Sequence, residues 1–323
     1  MSKIKKFPSV TINVTVKNAE DTIKKCIDSL LAVDYPRKQI YVTEAYSTDR
    51  TYEILKQYGK RIRLERVRGN APTAHNHVFK KIKTDFIAFT DADCVVDKNW
   101  LKHLLKAFVS DDIVAAGGFC KTPRDVNELQ KLIGAELEDR FLKMPKYVSR
   151  LPTMNLCVRT DVARKVKMNE NLDVTFETDW GKRLTKFGKM AYVRNAIVYH
   201  YHRPNWKSFF RQQLNYGKFV IKAPSIYMGR DKFGDYLSKP IMGLEVITFD
   251  LLLVSLFASL FIPSTSIIST ILLLILLILY LLDMANFAKS LTSVFEYFAL
   301  FFVRTFAWTV GFLIGLSEII RGK

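Results

Sequence analysis

The sequence has few cysteines and none of the motifs that give cysteine a metal-binding or cross-linking role. Its 323 residues include four cysteines, Cys26, Cys94, Cys120 and Cys157, and no two of them form a C-x-x-C pair. This scatter argues against a zinc site and against a disulfide framework, so we expect reduced thiols. The basic segment Met1 to Ser9 lacks the apolar core that a signal peptide needs.

Basic residues are almost missing from one long stretch. From Ile241 to Ile320 the chain is nearly all apolar, and its only basic residues are Lys289 and Arg304. The other 47 of the 49 lysines and arginines lie outside it, so the positive net charge of the chain, +18 in total, comes entirely from the other residues. A basic surface beside apolar segments favours anionic lipids and anionic ligands. Since no nucleic-acid-binding motif is present, we expect a membrane partner and no nucleic acid.

Three apolar stretches in this region are candidate membrane spans: Ile241 to Ile262, Ile267 to Leu282, and Val294 to Leu316. A span needs about 20 residues, which the first and third stretches supply. Pro263 to Ser266 predicts a tight turn, so the first two stretches should form a hairpin. Ionisable side chains in or near the spans either pair with one another or contact a lipid acceptor. They are Glu245, Asp250, Glu296 and Arg304.

The first part of the chain alternates apolar, β-branched runs with runs of helical periodicity. This alternation predicts an α/β fold with a mostly parallel sheet. The predicted strands are Val10 to Val16, Ile40 to Thr43, Ile62 to Val67, and Phe86 to Phe89. The last of them has no polar break, which is typical of a strand buried on both faces. Asn18 is predicted to cap the first helix.

Two carboxylates, Asp91 and Asp93, follow the fourth predicted strand directly. Residues i and i+2 of an extended chain point the same way, so both carboxylates can reach one ion. Open α/β sheets bind ligands at the carboxyl ends of their strands, and Mg²⁺ or Mn²⁺ carrying substrate phosphates suits carboxylate ligands. The alternative is a solvated turn, because aspartate is a common turn former.

Ten short segments, taken in order from Val10 to Gly217, carry a resemblance to a known family. They are Asn18-Ala19-Glu20, Glu44 to Asp49, Arg68-Gly69, Ala74-His75-Asn76, Asp91-Ala92-Asp93, Gly117-Gly118, Pro152 to Asn155, Glu177 to Trp180, His200 to Pro204, and Arg211 to Gly217. Together they resemble family 2 glycosyltransferases, which implies a GT-A, Rossmann-like fold. The chain departs from the family at Glu44-Ala45-Tyr46-Ser47, where Asp-Asp-Gly-Ser is usual, and at Thr15, where Pro is frequent. These departures leave the identity of the nucleotide open.

The resemblance implies a divalent ion, Mg²⁺ or Mn²⁺, held by Asp93, with Asp91 reaching the ribose or a metal-bound water. His200 fits the position of a further metal ligand, and His202 lies on the same face of the predicted strand Ile197 to His202. The alternative is a pair of partly exposed strand histidines. The residues expected to contact the nucleotide-sugar donor are Thr15, Asn18, Glu44, Arg68, Asn76, Asp91 and Gln212.

Glu177 and Asp179 are the candidates for the general base that takes the proton of the acceptor hydroxyl. Both lie at the predicted start of a helix, where acids are also favoured by capping and by the helix dipole. The family pattern places the base at Glu177. One base with in-line displacement would invert the anomeric carbon.

We therefore expect three parts: a GT-A domain over residues 1–204, an amphipathic, basic and aromatic segment over 205–240 at the membrane interface, and about three transmembrane helices over 241–323. The resemblance and the anchor together imply an inverting, multi-pass enzyme of the cell membrane with a cytoplasmic catalytic domain. Its donor would be a nucleotide sugar, and its acceptor a lipid or a lipid-linked saccharide.

Several alternatives stay open. A polyprenyl-phosphate glycosyltransferase needs no carboxylate base, because its acceptor phosphate is already ionised. A non-catalytic membrane scaffold with a degenerate GT-A domain would explain the departures at Ala45 and Tyr46. A nucleotidyltransferase is disfavoured, because Val16-Lys17-Asn18 is not the glycine-rich phosphate loop expected after its first strand. A processive polysaccharide synthase is disfavoured, because about three spans seldom suffice to form a conduit.

Overall fold

The computed structural model describes residues 7–222 and 235–321, which form two compact units. Of these residues, the first unit contains 7–126, 140–202 and 235–236, and the second contains 127–139, 203–222 and 237–321. The predicted interfacial segment 205–240 lies partly outside the described residues. The predicted three-part division and its boundaries stay a prediction.

The first unit is built on one nine-stranded sheet. Its strands are β1 Val10–Val16, β2 Lys38–Glu44, β3 Arg63–Arg66, β4 Phe86–Phe89, β5 Cys94–Val96, β6 Ile113–Lys121, β7 Tyr147–Val148, β8 Leu156–Arg159 and β9 Lys189–His200. They are ordered β3-β2-β1-β4-β8-β6-β9-β5, and β7 pairs with β9. All residues of β4 are buried, as expected for a central strand covered on both faces.

The directions of the strands define one edge of this sheet. β3, β2, β1 and β4 pair in parallel, as do β6 and β9. β8 runs antiparallel to β4 and β6, and β5 and β7 run antiparallel to β9. The carboxyl ends of β1 to β4, β6 and β9 therefore lie along the same edge as the amino end of β8. We call this the carboxyl edge. The α/β, GT-A-type prediction is confirmed, with the parallel pairing concentrated in the first four strands.

Eight helices accompany the strands in the part of the chain up to Lys222 that the structure describes. They are α1 Ile23–Ala32, α2 Thr51–Lys56, α3 Ala71–Lys81, α4 Trp100–Leu105, α5 Glu128–Leu142, α6 Thr160–Lys165, α7 Phe176–Leu184 and α8 Trp206–Lys222. The predicted cap of the first helix is wrong, because α1 begins at Ile23 and no side chain caps it. The side-chain oxygen of Asn18 instead accepts a hydrogen bond from the N–H of Thr48, in the loop after β2.

A close approach between β6 and β9 requires glycine at one position. A Cβ atom on Gly118 would lie 2.0 Å from the backbone oxygen of Ala196, far inside van der Waals contact. The register of the two strands shifts between Gly118 and Phe119. Glycine therefore lets the strands stay paired through this irregularity.

The second unit contains three helices that are long and apolar enough to cross a membrane. They are α9 Pro240–Ser259, α10 Ser266–Met284 and α11 Leu291–Ile320. A short 3-10 helix, Pro263–Thr265, joins the first two, where a tight turn is predicted. The prediction of three apolar C-terminal helices is confirmed.

Ionisable side chains of these helices pair with one another. Arg304 of α11 is buried and donates to Glu245 of α9 at 2.6 Å and to Asp283 of α10 at 3.1 Å. A third carboxylate, Glu136 of α5, also accepts from Arg304. Asp250 accepts from a threonine of α11 at 2.6 Å. Mutual pairing, the first of the two predicted alternatives, accounts for Glu245 and Arg304, whereas Asp250 is hydrogen-bonded to a threonine.

Helix α8 packs along α11 at close range. A Cβ atom on Gly311 would lie 2.2 Å from the backbone oxygen of Leu214, so the two helix backbones nearly touch. Trp308 Nε1 donates to Gln213 Oε1 at 3.0 Å beside this contact. Small residues that let helices approach closely are typical of packing in membranes.

Candidate active site

Four residues stand in a row along the carboxyl edge. Arg68 follows β3, Tyr46 follows β2, Asn18 follows β1 and Asp91 follows β4, each two residues beyond the end of its strand. Because paired strands lie about 4.8 Å apart, the row extends about 14 Å from Arg68 to Asp91. The order of the strands reverses between β1 and β4, which is where open α/β sheets bind ligands.

Backbone strain is concentrated in the loops of the same site. Within the described chain, three residues other than glycine have positive φ: Asn18 at 52°, Tyr46 at 53° and Thr175 at 68°. Thr175 directly precedes α7, whose first turn carries Glu177. Such conformations cost of order 1–3 kcal/mol each and cluster at functional sites.

Asp93, Cys94 and His200 form a group whose possible ligand atoms all lie within 4.8 Å of one another. The pairing of β5 with β9 creates it, because Cys94 lies opposite His200 in the register. Asp93 Oδ1 lies 3.4 Å from His200 Nε2. The strand pairing thus brings together two side chains that are 107 positions apart in the sequence (200 − 93).

Asp93 and His200 fit a hard divalent ion. Two ligands of one octahedral ion at about 2.1 Å lie about 3 Å from each other, close to the separation of the carboxylate and the imidazole. Cys94 fits less well, because Mg²⁺ and Mn²⁺ are hard ions that prefer oxygen ligands to thiolate sulfur.

The two histidines of the predicted metal site differ in their surroundings. Burial lowers the pKa of His200, but the charge of Asp93 and the hydrogen bond to it have the larger combined effect, so this pKa lies well above its ordinary value. His202 lies beyond the end of β9, with its ring 4.6 Å from that of His200 and its Nε2 3.4 Å from Thr122 Oγ1. Of the predicted ligands, Asp93 and His200 come together, whereas Asp91 and His202 lie outside the Asp93–Cys94–His200 group.

Glu177 is held at the carboxyl edge by a neighbouring loop. Its Oε1 accepts two hydrogen bonds from Thr153, from the backbone N–H and from Oγ1, both at 2.6 Å. Thr153 lies three residues before β8, and the first residue of β8, Leu156, pairs with the last residue of β4, Phe89. Glu177 therefore lies at the same edge as the turn Asp91–Asp93. Its Oε2 has no hydrogen bond to any described residue.

Asp179, the other predicted base, forms an ion pair with Arg183. Its Oδ2 accepts from Arg183 Nε at 2.9 Å and from Arg183 Nη2 at 2.6 Å, one helical turn further along α7. Arg183 also donates to the backbone oxygens of Val166 and Lys167. These contacts tie α7 to the segment after α6. Of the two candidates, Glu177 has the carboxylate that is more available for proton transfer.

Comparison with known proteins agrees with this geometry. The family model for Glycosyl transferase family 2 matches residues 11–172. The chain belongs to glycosyl transferase family 2. Glycosyltransferase AglE of Haloferax volcanii is 25% identical over 231 residues, which is 67% of this chain and 74% of AglE. This family 2 chain is therefore a glycosyltransferase, and the nucleotidyltransferase alternative is set aside.

Two further proteins are similar over most of the chain. The first is the dolichyl N-acetyl-alpha-D-glucosaminyl phosphate 3-beta-D-2,3-diacetamido-2,3-dideoxy-beta-D-glucuronosyltransferase of Methanococcus voltae, 22% identical over 64% of this chain and 71% of its own length. The second is the mannosyltransferase PcManGT from Pyrobaculum calidifontis, solved in complex with GDP-Man and Mn²⁺. It superposes with a TM-score of 0.56 at 16% identity, over 98% of this chain and 88% of its own. The likeness shows a shared fold.

Glu44, at the family 2 position expected to meet the nucleotide, is fully buried at the end of β2. Its Oε1 accepts from the N–H of Ser47, and its Oε2 accepts from Arg66 Nε at 2.7 Å. Burial raises the pKa of Glu44, but these hydrogen bonds and the charge of Arg66 bring it below the ordinary value. The structure gives Glu44 a role in fixing its loop, and its predicted contact with the nucleotide stays a prediction.

Three other predicted donor contacts have varied surroundings. Asn76 is buried, its Nδ2 donates to Met168 O and Glu170 Oε1, and its Oδ1 accepts from the N–H of Met168. Thr15 is a half-buried residue of β1. Gln212 belongs to α8 in the second unit. Asn76 thus has a clear structural role, and the donor contacts of all three stay predictions.

Sequence reasoning missed Arg66 and gave Tyr46 no contact with the donor. Tyr46 is 41% exposed, and the Arg66 and Arg68 guanidinium groups lie 4.2 Å and 5.0 Å from the centre of its ring. Two signals could have suggested this cluster. Tyrosine replaces the usual glycine of the family 2 loop, and one arginine ends the neighbouring strand while a second follows two residues later.

Proposed function

We propose that this enzyme transfers a sugar, with inversion, from a nucleotide-sugar donor to a lipid-linked or membrane-associated acceptor at the cytoplasmic face of the membrane. The observation that carries the proposal is the carboxyl edge, where the Asp93–His200 pair and the oriented carboxylate of Glu177 occur together. An ion site for a diphosphate beside a base for a hydroxyl is what glycosyl transfer requires.

The row along the carboxyl edge suits a nucleoside diphosphate lying across the strands. The ion ligands are next to β4, at one end of the row, and the aromatic and basic side chains are beyond β2 and β3, at the other. A diphosphate at Asp93 and His200 would direct the nucleoside past Asn18 towards Tyr46. PcManGT, which shares the fold, is solved with a nucleotide sugar and Mn²⁺.

The proposed reaction uses the chain's residues in two ways. Asp93 and His200 would hold a divalent ion, which supplies positive charge opposite the leaving diphosphate when bound. Glu177 Oε2 would take the proton of the acceptor hydroxyl as that oxygen attacks the anomeric carbon. The two hydrogen bonds from Thr153 fix Oε1 and so set the direction of Oε2. Attack by the acceptor oxygen on the face opposite the leaving diphosphate inverts the configuration of the anomeric carbon.

The lipid acceptor is supported by three apolar helices on the same chain and by the name of the Methanococcus voltae relative, which specifies a dolichyl-phosphate-linked substrate. A cytoplasmic catalytic unit is supported by the basic residues just before the first apolar helix, because lysine and arginine near the end of a span favour the cytoplasmic side. They are Lys222, Arg230, Lys232 and Lys239. A polyprenyl phosphate as the direct acceptor would leave Glu177 without a proton to remove. The oriented carboxylate therefore favours an acceptor hydroxyl.

A transfer assay tests the proposal. The full chain in detergent is incubated with Mn²⁺, extracted membrane lipids and each of a panel of radiolabelled nucleotide sugars. We expect label from a preferred donor to enter the organic phase, with the product anomer opposite to that of the donor. Consumption of a donor without label in any lipid fraction would contradict the lipid acceptor. Failure to consume any nucleotide sugar would contradict the donor class.

A further inference from the structure

We infer that the ring of Tyr46 is the stacking surface for the nucleobase of the donor, and that Glu44 positions this surface without touching the base. The inference rests on the proposed function, because it assumes a nucleotide donor at the carboxyl edge. It assigns a base-binding role to a residue that departs from the family pattern, and it assigns a positioning role to the residue that would otherwise be expected to contact the base.

Glu44 lacks an accessible oxygen for a base. Its side chain has no solvent exposure, and each carboxylate oxygen already accepts a hydrogen bond, one from Ser47 and one from Arg66. A base that displaced Arg66 would leave the Glu44 carboxylate, which has no solvent exposure, without its counter-ion. Leaving a buried charge without its partner is strongly unfavourable, so Glu44 and Arg66 are expected to stay together when the donor binds.

Tyr46 is presented by a loop that is fixed on both sides. Its backbone is left-handed, with φ of 53°, a conformation that residues other than glycine adopt at a cost. The next residue, Ser47, accepts at its Oγ from the N–H of Asn18 at 2.9 Å, and Asn18 Oδ1 accepts from the N–H of Thr48 at 2.9 Å. The loops after β1 and β2 therefore hold each other, and the strained position of Tyr46 is maintained by its neighbours.

The cations around the ring are suited to an anionic, aromatic ligand. Arg66 is fixed by Glu44 at 2.7 Å and lies 4.2 Å from the ring centre, and Arg68 lies 5.0 Å from it. Tyr46 is nevertheless 41% exposed, so a ligand can reach this residue from solvent. Every nucleobase has a π-face, so stacking on a tyrosine accepts purines and pyrimidines alike.

The position of Tyr46 in the row agrees with this role. It follows β2, and β1 separates β2 from β4, whose end carries Asp91 and Asp93. Two strand spacings, about 10 Å, therefore separate the tyrosine from the ion ligands along the edge. A ribose and a diphosphate fill a gap of this order between a stacked base and a bound ion.

Isothermal titration with Mn²⁺ tests the inference on the full chain in detergent. The ligands are UDP, GDP and inorganic diphosphate, which lacks a base. The variants are Tyr46→Leu, Tyr46→Phe and Tyr52→Leu. Tyr52 is the matched control, because its ring centre lies 4.4 Å from the same Arg66 guanidinium. For each nucleotide that binds the wild type, we expect Tyr46→Leu to lower the affinity by about 5- to 150-fold. The factor should be similar for UDP and GDP.

The same titration gives the other expected results. Diphosphate binding should be unchanged in Tyr46→Leu, and nucleotide binding should be retained in Tyr46→Phe and in Tyr52→Leu. Equal losses in Tyr46→Leu and Tyr52→Leu would assign the effect to a displaced Arg66 and overturn the inference. Unchanged nucleotide binding in Tyr46→Leu, or a parallel loss of diphosphate binding, would also overturn it. A wild type that binds no nucleotide would instead overturn the proposed function, and the inference with it.

Discussion

The clearest consequence of the site geometry concerns Glu177. In Glu177→Gln the side chain keeps its shape, and its amide oxygen can still accept both hydrogen bonds from Thr153. The variant should therefore fold and bind its donor as the wild type does. What it loses is the ability of the second oxygen to take a proton, because an amide nitrogen is not a base.

The size of the loss follows from that chemistry. A positioned general base contributes about 10²- to 10⁴-fold to the rate, which corresponds to roughly 3–5 kcal/mol of activation free energy. Asp179→Asn is the matched control on the same helix. The ion pair between Asp179 and Arg183 is partly exposed and spans one helical turn. Its loss should lower the folding stability by about 0.5 kcal/mol and leave the activity nearly unchanged.

The assay is kcat for sugar transfer at saturating donor, with donor binding measured in parallel. We expect Glu177→Gln to reduce kcat by at least about a hundredfold with donor affinity unchanged, and Asp179→Asn to keep most of its activity. A Glu177→Gln variant with wild-type kcat would refute the assignment of the base. It would also favour an acceptor phosphate, which needs no deprotonation.

Other consequences concern folding stability, measured by chemical or thermal unfolding in detergent. Gly118→Ala should destabilise the chain by about 1–3 kcal/mol or more, because its Cβ would meet a backbone oxygen of β9, whereas Gly243→Ala has open space and should be neutral or stabilising. Arg304→Met should cost roughly 3–5 kcal/mol, because it leaves three carboxylates without their shared cation, and an unchanged melting temperature would contradict this. Glu44 has a lowered folded-state pKa, so its pairing with Arg66 stabilises the fold above the unfolded pKa of about 4.3, and this contribution is lost as pH falls. Glu44→Gln should therefore flatten the acid side of the stability profile, and an identical profile would count against the pairing.

The parts of the fold that depend on local pattern could be predicted from the sequence. β4 is an uninterrupted apolar run, and β1 is β-branched at every position except Asn13. The apolar C-terminal helices are each long enough to span a membrane. The antiparallel insertion of β8 between β4 and β6 could not be predicted. β8 has four residues, and its position is determined by pairing with strands far away in the sequence.

The site shows the same division. Asp93, His200 and Glu177 can be proposed from the sequence, because their neighbours resemble family motifs. The partner of Glu44 cannot, because Arg66 reaches it through the parallel pairing of β2 with β3. Asn18 looked like a helix cap, since asparagine is a good one, but its side chain bonds across to the next loop instead. Contacts between loops at a sheet edge are set by strand order, which local sequence does not contain.

The most direct test of a metal-dependent, nucleotide-using transferase is the affinity for a nucleoside diphosphate with Mn²⁺ and with EDTA, in wild type and in Asp93→Asn. The account predicts that Mn²⁺ strengthens binding to the wild type and that Asp93→Asn loses this dependence while its melting temperature is maintained. Equal Mn²⁺ dependence in both proteins would show that the ion binds elsewhere. If EDTA left the affinity of the wild type unchanged, the claim of metal-dependent nucleotide binding would be contradicted.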